Sequence, residues 1–144
     1  MTTQEMFRTI DAVISKAKTG VLATVDDQGR PHMRWMTPTV LRGRPNAVFA
    51  VTSPGFAKVV HLSGNVHVQW LIQSPSLREV VSIDGVINVL DVTTLKTEII
   101  ETLGQRLFTF WRVNPQRDFI VLETVIEQAT YFTPMTGERV TVTF

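Results

Sequence analysis

The stretch from Val51 to Leu62, VTSPGFAKVVHL, brings together the groups that an anion needs. Ser53 is a favoured N-cap residue and Pro54 suits a first helical position, so a strand ends and a helix begins here. First-turn amides of such a helix have no internal partners, and the helix dipole adds roughly half a positive charge at that end. Lys58, about one turn further on, can bring an ammonium to the same place, and Thr52 and Ser53 add hydroxyls. The bland alternative is that Ser53 only caps and Lys58 only faces water.

A second cation stands in LATVDDQGRPHMRWMTP, Leu22 to Pro38, where Arg34 lies among side chains suited to packing. On a strand through this stretch residues 32, 34 and 36 share one face, and a guanidinium there costs desolvation unless it meets a carboxylate or a phosphate. An exposed arginine, or an ion pair to Asp84 or Glu79, is the ordinary reading. Convergence with Lys58 would make a phosphate site instead. Trp35, Met36, Thr37, Trp70, Trp111 and Tyr131 either line a flat pocket or fill the core and subunit contacts.

Other chemistries find little support. His32, His61 and His67 lack tight metal-ligand spacing, and no cysteine is present to form disulfides, thiolates or metal clusters. There is no G-x-G-x-x-G or P-loop pattern, GQR at 104–106 is too little to invoke either, and the serines show no nucleophile elbow. A net charge of +1, from 14 Lys and Arg against 13 Asp and Glu, implies no broad basic face for nucleic acid.

The elements that must position these groups follow from periodicity. Phe7, Ile10, Val13, Ile14 and Ala17 fall on one helical face, with a capping box at Thr2 and Glu5 and closure at Gly20. From Val21 the pattern becomes strand-like, and DDQG at 26–29 turns it back. AVFAVT at 47–52, VHVQWLI at 66–72 and REVVSIDGVINVLD at 78–91 read as further strands, the last bent at Gly85, with Asp91 capping a helix from Val92 to about Phe110. Phe108, Phe110 and Trp111 make an aromatic patch before a break at Asn114 and Pro115, and FIVLETV, QATYFTP and RVTVTF read as three closing strands. Long strands joined by tight turns favour an antiparallel β-barrel with flanking helices, mainly β with α, in one domain over residues 1–144, and the resemblance given below implies that this barrel is split. The first 20 residues mix charge into their apolar positions and form neither a secretory core nor a span, so a cytoplasmic protein is expected.

Taken together, TGVLATVDDQGRPHMRWMTP, VFAVTSPGFAKVVHLSGNVHVQW and VSIDGVINVLD resemble the pyridoxamine 5'-phosphate oxidase-like FMN-binding split barrels, in particular the general stress protein branch. The resemblance implies a homodimer with FMN in two interface clefts. Arg34 and Lys58 would bind the FMN phosphate with Thr52 and Ser53 assisting, Val51 would belong to the same cofactor site, Trp35, Met36 and Thr37 would border the isoalloxazine, and Trp111 would approach it from the second subunit. Relatives carry a serine or threonine two residues before the helix lysine, where this chain has Phe56, and the 104–118 segment departs from the branch pattern. The resemblance thus implies FMN-mediated hydride or electron transfer on a small molecule, with pyridoxamine 5'-phosphate oxidation disfavoured by the absence of a second basic cluster. The alternatives are a noncatalytic flavin-binding stress-response or carrier protein, and a barrel relative holding haem or a deazaflavin.

Overall fold

The computed structural model describes residues 1–62, 64–104 and 119–144. The chain opens in α1, Thr3–Ala17, whose start is fixed by Thr2, because its Oγ1 accepts from the Glu5 amide at 3.1 Å. Met6, Ile10, Val13 and Ile14 form the buried face, and Phe7 and Ala17 pack partly buried beside it. Closure comes at Lys18 and not at Gly20: Lys18 adopts a left-handed φ of 64° and its amide donates to the Ile14 carbonyl. Gly20 serves the sheet instead, since a Cβ there would stand 3.0 Å from Ile72 Cγ1.

One seven-stranded antiparallel sheet follows. Its members are β1 (Gly20–Val25), β2 (Pro31–Met36), β3 (Ala47–Thr52), β4 (His67–Gln73), β5 (Val80–Leu90), β6 (Ile120–Thr133) and β7 (Glu138–Thr143). The order is β2-β1-β4-β5-β6-β3, and β6 gives one edge to β5 along its length and the other first to β3, then to β7. The sheet curls with β2 and β3 left unpaired at its ends, a split antiparallel barrel with flanking helices as expected. Between those ends the 37–40 segment covers β3 through a Thr39–Phe49 bridge, 2.8 Å in each direction. No helix among the described residues is long and apolar enough to cross a membrane.

Burial on both faces explains why AVFAVT is apolar without alternation. Val48 and Ala50 of β3 join the main core with α1, Val68, Trp70 and Ile72, whereas Phe49 and Val51 pack in a second core with Leu95, Ile99 and Leu103 of α3, Thr93–Leu103. The Trp70 indole inside the main core donates to Thr124 Oγ1 at 2.9 Å, so its polar edge is satisfied. A short helix α2, Pro54–Leu62, leaves directly from the end of β3.

Several expectations need correction. Val66 lies before β4 and is exposed, because its neighbour Val68 is the first residue of that face to reach the core. FIVLETV and QATYFTP are one strand, since Ile126 continues the ladder and Glu127 is absorbed as a bulge where the β5–β6 register slips between Asp84 and Gly85. Asp91 does not cap α3. The N-cap is Val92, without a side-chain bond, and Asp91 instead forms an ion pair with Lys96. The helical reading beyond Gly104, with Phe108, Phe110 and Trp111, lies outside the described residues.

The bend expected at Gly85 is present, and it is where two backbones touch: a Cβ there would lie 2.5 Å from the Val125 carbonyl oxygen. Gly85→Ala should therefore lower stability by about 1–3 kcal/mol, read as a reduced urea midpoint with an unchanged slope. Gly20→Ala, whose nearest neighbour is a side-chain carbon, should cost less, and a reversed ranking would contradict the close-approach argument.

Candidate functional site

The hairpin between β1 and β2 is built by Asp26. Its Oδ1 accepts from the Gln28 and Arg30 amides at 2.9 and 2.8 Å, and Gly29 supplies the positive φ of 80° that reverses the chain. Its Oδ2 meets His32 Nε2 at 2.9 Å. The His32 bond first, and then the Arg30 amide, hold the Asp26 carboxyl below its ordinary range.

From this turn inward one face of β2 carries His32, Arg34 and Met36, paired on β1 with Thr24, Leu22 and Gly20. Burial deepens along it: His32 is exposed, Arg34 is half-buried and Met36 is in the core. Arg34 Nη1 donates to the Leu22 carbonyl at 3.2 Å, and its Cζ lies 4.7 Å from the Phe56 ring centroid. Neither expected carboxylate partner pairs with it. Asp84 accepts from Gln69 Nε2 at 2.5 Å, and Glu79 is held by Lys16 Nζ at 2.6 Å and the Tyr131 hydroxyl at 3.0 Å. Among the described residues no carboxylate forms an ion pair with Arg34, and burial pulls the guanidinium below the usual arginine range.

Phe56 places Arg34 at the first turn of α2. The amides of that turn are less available than the sequence suggests: Pro54 has none, Phe56 N donates to Ser53 Oγ at 3.2 Å, and Ala57 N donates to the Ser53 carbonyl at 3.0 Å. Gly55 N–H is the first-turn amide that remains. Lys58 is exposed on the next part of the helix. Hairpin and helix enclose a cleft of about 470 Å³ whose walls include Asp26, His32, Arg34, Phe56, Val59 and Val60. This arrangement can hold an anion against a fixed cation with an apolar wall behind it.

The remaining candidates fall in other places. Val51 and Thr52 are buried at the end of β3, and Met36 and Thr37 are buried beyond the inner end of the cleft face. Trp35 points from the opposite face of β2, 47% exposed, into a separate cavity of about 500 Å³ shared with Val21, Leu71 and Leu77. Trp111 and the His61 side chain lie outside the described residues. No group of three metal-binding side chains occurs among the described residues. Two features escaped sequence reasoning. Phe56 registers there only as a missing hydroxyl, whereas it is the platform under Arg34, and the Asp26–His32 pair had no signal beyond two polar residues flanking a turn.

The sequence matches the pyridoxamine 5'-phosphate oxidase family over residues 6–131. Among solved structures the chain is similar to general stress protein 26 from Bacillus anthracis str. Sterne, at 17% identity over 96% of this chain and 99% of that one, with a TM-score of 0.71. It is also similar to a pyridoxamine 5'-phosphate oxidase-related, FMN binding protein from Nostoc punctiforme PCC 73102, at 14% identity over 95% of each chain and a TM-score of 0.65. A third similar structure is HutZ, the haem storage protein from Vibrio cholerae, at 23% identity over 92% of this chain and 95% of that one, with a TM-score of 0.64. At these identities the likeness is one of fold. No curated protein matches the sequence closely enough to add a relative.

The Arg34–Phe56 contact is open to a double-mutant cycle with Arg34→Met and Phe56→Leu. A coupling of about 0.5–1 kcal/mol in urea unfolding is expected, and additive single effects would show that the ring does not support the guanidinium.

Proposed function

Because this chain belongs to the pyridoxamine 5'-phosphate oxidase family, we propose that residues 1–144 form a single flavin-binding domain that holds FMN by its phosphate on Arg34. The observation that carries this reading is a half-buried guanidinium, facing a cleft, with no carboxylate paired to it among the described residues. A dianionic phosphate offsets the desolvation of such a cation through two parallel charge-assisted bonds. In this reading the Ser53 hydroxyl and the Gly55 amide at the start of α2 add donors, with Thr52 and Lys58 assisting. On the same reading the main chain around Met36 and Thr37 borders the ring, and Trp111 meets it from a second copy.

Bound FMN supplies hydride and electron transfer from its own ring. The chain's part is to grip the phosphate, orient the ring and exclude water. A half-buried guanidinium beside an apolar wall supports an anion grip and no catalytic group, so a flavin-binding or carrier protein is the reading adopted, and oxidoreductase turnover of a small molecule is its extension. Haem is the second reading, favoured by one observation: a histidine and an arginine two positions apart line the same cleft, and such a pair suits an axial ligand and a propionate. The fold likeness to a haem storage protein points the same way.

A second copy of the chain has a place to dock. Trp35, Val21 and Leu71 form one cross-strand row over β2, β1 and β4 on the outer face, and Trp35 and Leu71 are each 47% exposed. An apolar row of this kind on a sheet face is suited to burial against its own copy.

Arg34→Ala should weaken FMN binding by about ten- to a hundredfold in calorimetry while leaving riboflavin affinity unchanged. Equal losses for both ligands would place the phosphate elsewhere, and a Soret band in protein purified without added cofactor would favour haem. Leu71→Glu should convert a dimer to monomer in light scattering, and a dimer that survives the charge would exclude this face.

A further inference from the structure

His32 stands two residues from Arg34 on the same face of β2, lines the same cleft, and is held from behind by Asp26. The geometry identifies which ring nitrogen is available. Asp26 is an ionised acceptor, kept so by His32 and the turn amides, so the nitrogen at 2.9 Å from it, Nε2, carries a hydrogen. Among the described residues Nδ1 has no partner.

In the neutral ring Nδ1 is then a lone pair, which repels a fully ionised phosphate oxygen. One added proton turns it into a donor. We propose that His32 is a second phosphate ligand of this cleft, its Nδ1–H donating to a phosphate monoester while Asp26 holds its Nε2–H, so that the grip tightens on acidification. This inference rests on the reading that Arg34 holds the cofactor phosphate, and it adds a positioning residue and a pH dependence to that site.

The surrounding charges make the proton matter. Asp26 and Asp27 from the turn and Arg34 from β2 line the cleft with the imidazole, whereas α2 contributes Phe56, Val59 and Val60, which are uncharged. Among the residues lining the cleft, two carboxylates oppose an incoming dianion and one guanidinium attracts it while His32 is neutral, with the exposed Lys58 outside that lining. With His32 protonated the cations of the lining match its carboxylates in number, and the imidazolium stands between Asp26 and the phosphate. A phosphate monoester gains its own second proton near pH 6, and a proton shared between Nδ1 and a phosphate oxygen produces the same net uptake.

The test is FMN affinity and proton uptake by the full chain between pH 8 and 6, with riboflavin as the ligand lacking phosphate. Wild-type affinity for FMN should rise by up to about tenfold per pH unit, with up to one proton taken up per FMN in buffers of different ionisation enthalpy. His32→Gln keeps an amide donor toward Asp26 and should flatten the rise and abolish the uptake, with its urea midpoint and riboflavin affinity unchanged. An FMN affinity that does not rise on acidification, or a rise and uptake that survive in His32→Gln, would overturn the proposal. Arg34→Ala separates the two readings: if it weakens FMN while His32→Gln leaves the pH profile intact, only the role of His32 falls. If Arg34→Ala leaves FMN binding unchanged, or FMN fails to bind at any pH, the phosphate reading falls and takes this one with it.

Discussion

A guanidinium drawn partly out of water, with no carboxylate paired to it among the described residues, is the constraint around which this molecule is arranged. Arg34 is supported by a strand carbonyl and an aromatic face, neither of which restores the hydration it loses. Both supports demand accurate placement. The carbonyl belongs to Leu22, the cross-strand partner of Arg34, so the β1–β2 register must hold. The ring belongs to the first turn of α2, so the point where β3 gives way to helix must hold as well.

That second requirement reaches through the fold. β3 is packed on both faces, against α1 and the barrel strands on one side and α3 on the other, and its free edge is covered by the segment leaving β2. A strand fixed on three sides cannot slide, and the helix that leaves its end inherits that position. The close backbone approach at Gly85 has a similar consequence on the far side, curling β5 and β6 so that the ends of the sheet come near each other. Fold alone does not fix a ligand, so the chemistry of the residues lining the cleft has to be argued for itself.

Local rules carried much of this. A threonine cap with a 3.6-residue apolar period gave α1, and an Asp-rich turn before glycine gave the hairpin. A Ser-Pro pair gave the start of α2, and a glycine inside a long apolar run gave the bend. What failed was non-local. Nothing in QATYF says that it continues the preceding strand, because the bulge at Glu127 exists only opposite Gly85. Asp91 has good capping chemistry, but Lys96 one turn on competes for the same carboxylate. Trp35 and Arg34 are neighbours in sequence and opposite in space, so a strand that reads as one cofactor wall divides between a cleft and an outer face. Phe56 shows the limit most clearly: against relatives it is a lost hydroxyl, and in three dimensions it is the surface on which the arginine rests.

The most direct measurement is a crystal structure of the protein grown with FMN. The account predicts phosphate oxygens in paired contact with the Arg34 guanidinium, at roughly 2.7–2.9 Å, in the cleft between the β1–β2 hairpin and α2. A flavin whose phosphate is bound elsewhere, with Arg34 still resting only on Leu22 and Phe56, would contradict it.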